Sequence, residues 1–237
     1  MNEMARRSQL SDPEMLRTRL MELLRDLPHR LAHGSVGEQV GDLVQVHHLL
    51  RDLGSSIGAA LAPGDSDSGR ARLIAYFRAQ IGRIVHTDEL MIVAGIGDYP
   101  RRIRELRGDH GWPIISGLAV RDLRLLSASP YALKKVPAGI APDEYLLLED
   151  RQDHAAPGRW TAIKEMRDPT SAARTLVREY FERFPGHRIT AEELRYLVSS
   201  KSDWTSAVRD LAASGRTIEG ADLEGTDSPP GIFVLKD

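Results

Sequence analysis

The sequence contains no cysteine among its 237 residues. Disulfide frameworks and thiolate zinc sites are therefore excluded, and the reducing interior of a cell is the expected compartment. Long hydrophobic runs are absent as well. The first residues, MNEMARRSQLSDPE, have no apolar stretch typical of a signal peptide, and no later segment approaches the ~20 apolar residues of a membrane-spanning helix. We therefore expect a cytoplasmic protein.

The chain also lacks a large excess of either charge. It has 32 basic and 34 acidic residues, for a net charge of −2 at pH 7. A non-specific nucleic-acid coat is globally basic, so any contact with nucleic acid here must come from a local basic patch. Lysine is scarce and arginine common, a bias that a GC-rich genome explains without any role in DNA binding. Composition alone therefore gives no argument for DNA.

What the sequence does contain is an internal repeat at an offset of about 104 residues. The copies span residues 73–114 and 175–218, and each is followed by a short apolar run. The best-matched positions are Tyr76-Phe77 with Tyr180-Phe181, Gly82 with Gly186, Val85 with Ile189, and Leu90 with Leu194. The pattern in each copy predicts helix, short strand, helix, turn, helix and β-hairpin, which is the order of a winged helix. We predict an α+β, mostly helical protein with two tandem winged-helix domains.

An α-helical hairpin is predicted ahead of the first repeat. Apolar residues recur at helical spacing over residues 15–27 after an Asp12 cap, and a break is expected at Pro28 and Gly34. A second, longer apolar stripe covers residues 36–61. The hairpin either packs on the following domain or pairs with a second copy or a partner subunit. The candidate residues for such pairing are Val40, Leu43, Leu50 and Ile57.

Polar stretches rich in proline, glycine and serine mark the boundaries between these parts. The predicted organisation is a hairpin over residues 1–64, a first winged helix over 70–150, a linker over 151–170 and a second winged helix over 171–237.

The third helix of the first repeat carries a dense basic face. Tyr99, Ile103 and Leu106 are expected to face the core, because they lie three to four residues apart. The remaining surface carries four arginines: Arg101, Arg102, Arg104 and Arg107. A solvated face with salt bridges is the ordinary explanation, but a winged helix places this helix in the major groove. We predict that the four contact DNA, with a structural alternative for Arg104 because Arg209-Asp210 repeats its Arg-acid pair.

The connection after the second strand of the first repeat is long for a wing. It carries four further basic residues: Arg121, Arg124, Lys134 and Lys135. A basic wing touching the phosphate backbone or the minor groove is one interpretation. An extra helix or hairpin that covers the domain is the other, and the sequence does not separate the two.

The second repeat is a weaker candidate for DNA. Residues 190–193 have the spacing of a capping box, and Asp203 is expected to cap the third helix. The outward side of that helix is nearly neutral, with Ser206 and Arg209 as its candidate DNA contacts. The predicted wing, residues 219–231, carries four acids and no base, and acids repel phosphates. The alternatives to DNA for this repeat are a protein partner and the first repeat.

The first repeat resembles a winged-helix domain that precedes the nuclease domain in a group of bacterial HNH-type endonucleases. The resemblance covers about 45 residues and lies in Gly82-Arg83-Ile84-Val85, Glu89-Leu90, Val93-Ala94-Gly95-Ile96, residues 101–107 (RRIRELR) and Gly111-Trp112-Pro113-Ile114. It implies recognition of double-stranded DNA in a restriction or antiviral defence system. No His-Asn-His nuclease segment follows in this chain, so the catalytic activity of that family is not carried over.

Candidate chemistry elsewhere is sparse, and we expect no enzyme activity, no metal and no cofactor. The histidine pairs His29/His33 and His47/His48 lack the cysteines and acids of a metal site. The predicted function is double-stranded DNA binding, as the recognition component of a restriction or defence system. A transcription regulator with the same DNA-binding residues is one alternative, and a winged-helix adaptor that docks protein partners is the other.

Overall fold

The computed structural model describes residues 12–62, 68–126, 136–198, 203–220 and 228–236. Within them the fold is α+β and mostly helical, with two small antiparallel sheets. The helices are α1 (Pro13–His33), α2 (Val36–Ala60), α3 (Gly69–Ala79), α4 (Thr87–Ala94), α5 (Tyr99–Gly108), α6 (Gly117–Leu123), α7 (Ala156–Met166), α8 (Ala173–Arg183), α9 (Ala191–Val198) and α10 (Trp204–Ala213). The strands are β1 (Ile84–Val85), β2 (Ile114–Ser116), β3 (Tyr145–Leu147), β4 (Ile189–Thr190), β5 (Thr217–Glu219) and β6 (Ile232–Lys236).

Helices α1 and α2 form the predicted hairpin, but the predicted break at Pro28 is wrong. Helix α1 continues through Pro28 to His33. An interior proline removes a hydrogen bond and costs about 3 kcal/mol, so tertiary contacts must hold the last turn. One such contact is the ion pair between Arg30 and the buried carboxylate of Asp42 on α2. The chain turns only at Gly34, and Ser35 then starts α2 with a capping box.

The chain divides into two compact units that do not follow the boundaries of the repeats. The first unit comprises the described residues up to Tyr76 together with Asp88–Arg102. The second comprises Phe77–Thr87 and the described residues from Ile103 onward.

The first unit is held together by small residues of α2 and by one buried arginine. A Cβ at Gly54 would lie 2.7 Å from the carbonyl oxygen of Ile92, and one at Gly58 would lie 2.8 Å from that of Val93. Glycine therefore permits the end of α4 to approach α2 closely. Arg72 donates from Nε to the Val93 carbonyl at 3.0 Å, which satisfies a carbonyl that the helix end leaves open.

The second unit contains both sheets, and these have the same strand order. In each the first strand pairs with the third and the third with the second, giving the orders β1-β3-β2 and β4-β6-β5. Gly82 and Gly186 hold equivalent places: their φ values are +72° and +71°, and each donates its N–H at 3.0 Å to the last strand, at Leu147 and Leu235. Glycine tolerates this left-handed backbone.

A single hydrophobic core within the second unit includes residues from both repeats. Ile115 and Leu123 lie in the first predicted winged-helix segment, residues 70–150. They belong to the same cluster as Tyr180, Trp204 and Phe233 of the second segment, residues 171–237. Helix α7 contributes Ile163 to this cluster. Residues 156–166 of the predicted linker are therefore a packed helix. Its sequence signal is weak, because no side chain caps its start.

Candidate nucleic-acid interface

Helix α5 has the two faces that its sequence predicts. Tyr99, Ile103 and Leu106 are buried, which confirms their place in the core. Arg101 and Arg104 are exposed and, being three residues apart, lie on the same side of the helix. Arg102 is half-buried. Packing of the buried face holds the helix in place. The exposed guanidinium groups of Arg101 and Arg104 are therefore attached to an ordered helix.

Arg107, the fourth predicted contact, lies inside the second unit. Its Nε donates to the carbonyl of Ile114 at 2.6 Å, and its Nη1 lies 3.0 Å from Oε1 of Glu192. The guanidinium also stacks over the ring of Tyr145, 5.4 Å from the centroid. Reaching a phosphate would break this ion pair and leave the largely buried Glu192 carboxylate with the hydrogen bonds that Ser116 donates, which is unfavourable. We therefore assign Arg107 a structural role, in which it links α5 to β2, and not a contact with DNA.

The connection between β2 and β3 contains the additional helix α6, one of the two alternatives that the sequence left open. Ser116 caps this helix by accepting the N–H of Ala119 at 3.4 Å. Arg121 is exposed in its last turn, whereas Arg124 donates to the carbonyl of Val136 at 3.0 Å. Lys134 and Lys135 lie outside the described residues. Of the four basic residues, Arg121 is the one whose side chain the structure places on the surface.

The third helix of the second repeat, α10, uses its outward polar groups locally. The Asp203 carboxylate caps the helix and accepts the backbone N–H of Ser206 at 3.0 Å. Arg209 donates in turn to Oγ of Ser206 at 2.9 Å. Burial opposes ionisation of Asp203, but hydrogen bonds from Ser206 and Thr205 outweigh it and lower its pKa to about 2. Ser206 and Arg209 thus already have partners on their own helix.

The second unit contains a buried polar cluster that the sequence did not predict. The Arg159 guanidinium lies 2.8 Å from both Glu193 and Asp153. Tyr180 donates its hydroxyl to Glu193 at 3.1 Å. Burial alone would lower the pKa of Arg159, but the two carboxylates raise it above its usual value. The cluster links α7, α8 and α9.

One signal in the sequence could have revealed part of this cluster. The first repeat contains the same tyrosine–glutamate contact, from Tyr76 to Glu89, at positions equivalent to Tyr180 and Glu193. Arg159 itself lies outside the repeat, in the segment predicted as a linker. Only the packing of α7 brings it to the glutamate.

A cavity of about 20 Å³ adjoins this cluster and is lined by Arg107, Arg159 and Trp160, among others. Nη2 of Arg107 and Nη1 of Arg159 are buried without a hydrogen-bond partner within the described structure. Such a volume accommodates a single water molecule and is too small for an organic substrate.

Neither a metal cluster nor a membrane-spanning helix occurs in the part of the chain that the structure describes. Its histidine and acidic side chains form no group of three or more placed to hold a metal ion. None of its helices combines the length and the apolar character needed to cross a membrane.

Comparison with known families gives a match that lies in the first repeat and the strands that follow it. Residues 70–148 match the KpnI N-terminal domain family. The match takes in every element from α3 to β3 except the first residue of α3, and it covers about a third of the chain. It relates this segment to restriction enzymes, which confirms that part of the predicted function. No curated protein and no solved structure matches the chain.

Proposed function

We propose that the protein binds double-stranded DNA through α5 of the KpnI N-terminal-like segment, as the recognition component of a restriction or defence system. The observation that supports this most directly is the pair of exposed arginines, Arg101 and Arg104, on a helix whose other face is buried. Guanidinium groups bind phosphates and the O6/N7 edge of guanine through paired hydrogen bonds.

We further propose that both repeats are winged helices. Each has the element order helix, strand, helix, helix and two strands, with α6 inserted in the first, and each has the strand order first-third-second. In a winged helix the third helix enters the major groove. That place belongs to α5 in the first repeat and to α10 in the second.

The two repeats are proposed to differ in function. In α10, Arg209 and Ser206 bond to each other, and Ser206 also bonds to the capping Asp203. Arg174 of α8 pairs with Asp210 of α10 at 3.1 Å. Because α10 and its cap carry two acids, Asp203 and Asp210, which repel phosphates, the second repeat is assigned a supporting role or a protein contact. We propose no catalytic step for this chain.

The test is the double substitution Arg101→Ala with Arg104→Ala, titrated against duplex DNA. For each arginine that binds a base edge, its removal should weaken binding by about 1–3 kcal/mol, or roughly 5- to 150-fold. For each arginine that binds a phosphate, its removal should make the dependence of affinity on salt shallower by about one unit of slope. Fluorescence anisotropy at several salt concentrations measures both quantities.

The matched control is Arg174→Ala with Arg178→Ala, which removes the same charge from two exposed positions of α8. This control should bind DNA as the unchanged chain does, apart from a small decrease in long-range attraction. If the affinity of both variants falls equally, net charge and not α5 drives binding. If the affinity of neither variant falls, the adaptor function replaces DNA recognition.

A further inference from the structure

The α1–α2 hairpin exposes most of the large apolar side chains that the described structure leaves in solvent. Eleven of the sixteen lie in it: Met15, Met21, Leu24, Leu31, Val36, Val40, Leu43, Val44, Leu50, Ile57 and Leu61. Its fully buried apolar side chains are Leu16 and Leu20. So many exposed large apolar side chains on one hairpin are uncommon in a monomer and are typical of an interaction site.

The exposed residues of α2 follow a heptad pattern. Positions 36, 40, 43, 47, 50, 54 and 57 are spaced alternately by four and three residues. Five of them are apolar and exposed: Val36, Val40, Leu43, Leu50 and Ile57; the other two are His47 and Gly54. We call these five apolar residues the α2 seam. A repeat of 3.5 residues keeps one stripe of a helix facing a partner helix along its length.

A second stripe, parallel to the seam, is already covered by α1. It includes the half-buried Val46, Leu49 and Leu53 and the buried Asp42, and α1 packs on α2 along this side. Helix α2 therefore has two apolar stripes. One has its partner within the hairpin. On the other, the five seam residues each remain about half exposed or more, and α4 covers the stripe at Gly54.

The charge of this face indicates what covers it. Over residues 39–50, apart from His47 and His48, the sole acidic or basic side chain is Asp42, which is buried and paired with Arg30. An uncharged face does not repel a copy of itself and offers no ion-pairing groups to select a charged partner. Self-pairing is the simplest match, since most soluble oligomers are twofold symmetric dimers that use one patch twice.

The available area is also of the right size. The five seam residues and Val44 are each about half exposed or more, which amounts to roughly 600 Å² of apolar surface, against about 800 Å² for each partner in a standard interface. Met21, Leu24 and Leu31 of α1 add to this area.

We propose that the α2 seam binds the α2 seam of a second copy of the chain, so that two hairpins form a four-helix bundle. The inference goes beyond the proposed DNA binding and does not depend on it.

The test is the mass of the full chain in solution without DNA, measured by light scattering and sedimentation equilibrium. The unchanged chain should have twice the 26.3 kDa of one copy. Leu43→Asp with Leu50→Asp should give single copies with unchanged circular dichroism, because both residues are exposed within one chain. Leu125→Asp, at an exposed leucine outside the hairpin, should remain a dimer. An unchanged chain with the mass of one copy would overturn the proposal.

A second, milder variant separates the interface from the stability of the hairpin. Leu43→Ala with Leu50→Ala keeps good helix formers at two positions that are exposed within one chain. It should raise the dissociation constant of the dimer by about tenfold or more, because it removes apolar area from the seam. An unchanged dissociation constant would contradict the proposed contact, even if the aspartate variant failed to fold.

Discussion

Arg159 and Glu193 are the two most deeply buried charged side chains among the described residues. Removing both charges from water costs several kcal/mol for each ion, and the pair offsets that cost only with good geometry and further hydrogen bonds. Both conditions are met here: Arg159 also reaches Asp153 and the carbonyl of Arg188, and Glu193 accepts from Tyr180. Losing one partner should therefore cost far more than losing an exposed pair.

We predict that Glu193→Gln lowers the free energy of unfolding by about 3 kcal/mol, because it leaves the buried guanidinium with a single carboxylate. Urea denaturation followed by circular dichroism measures this decrease. The matched control is Glu165→Gln, which breaks an exposed pair with Arg183 at 3.3 Å and should cost less than about 1 kcal/mol. Equal decreases for the two variants would mean that Asp153 alone compensates Arg159.

At the scale of single elements, local sequence signals determine where some helices begin, whereas tertiary contacts determine where others end or whether they form. The caps at Asp12 and Asp203 start α1 and α10 where the sequence predicts, since each side chain bonds within three residues of itself. The end of α1 and the existence of α7 do not follow from such signals. Pro28 is overridden by contacts along the hairpin, and α7 forms because the second unit buries Arg159 and Ile163.

The cap of α10 predicts a pH dependence. The pKa of Asp203 is lowered to about 2 in the folded chain, below the value of about 3.9 expected when unfolded. The cap therefore contributes its full stability above pH 4, and this contribution is lost as the pH falls toward 2. Thermal melting between pH 5 and 2 should show a smaller decrease for Asp203→Asn, which keeps a capping oxygen that does not titrate. If the melting temperatures of the unchanged chain and of the variant fall equally with pH, the role assigned to the Asp203 carboxylate is contradicted.

At the scale of the whole molecule, the repeats in sequence do not correspond to separate cores. Ile115 and Leu123 of the first repeat and Trp204 and Phe233 of the second lie in one cluster. Polar contacts also join the repeats within the second unit, such as Trp204 Nε1 to Asp122 at 3.0 Å. Removing either repeat would expose the apolar face of the other.

We therefore predict that the two sheets unfold together. In native-state hydrogen exchange of the full chain, amides of β1–β3 and of β4–β6 should share one opening free energy, because both depend on the same core. Peptide-level mass spectrometry measures this for peptides covering Tyr145–Leu147 and Ile232–Lys236. Exchange of one sheet well before the other would show that each repeat is an independent folding unit.

The sequence by itself determined the order of elements within each repeat, apart from α6, because helical period, caps and glycines with positive φ act over a few residues. The repeat led to the equivalent roles of Gly82 and Gly186, and the spacing of Tyr99, Ile103 and Leu106 separated the two faces of α5. The link to restriction systems also came from residues in this segment. These are local or nearly local features, so they can be read along the chain.

The tertiary structure decided which charged residues are exposed at the surface. Arg107 and Arg101 look alike in the sequence, but the packing of α5 against β2 brings one to Glu192 and leaves the other exposed. The same holds for Arg159, whose partners lie up to 34 residues away in the chain. Burial and ion pairing depend on contacts between distant segments, and no spacing rule encodes them. The α2 seam combines both kinds of information. Its heptad spacing is visible in the sequence, but its exposure to solvent is known only from the fold.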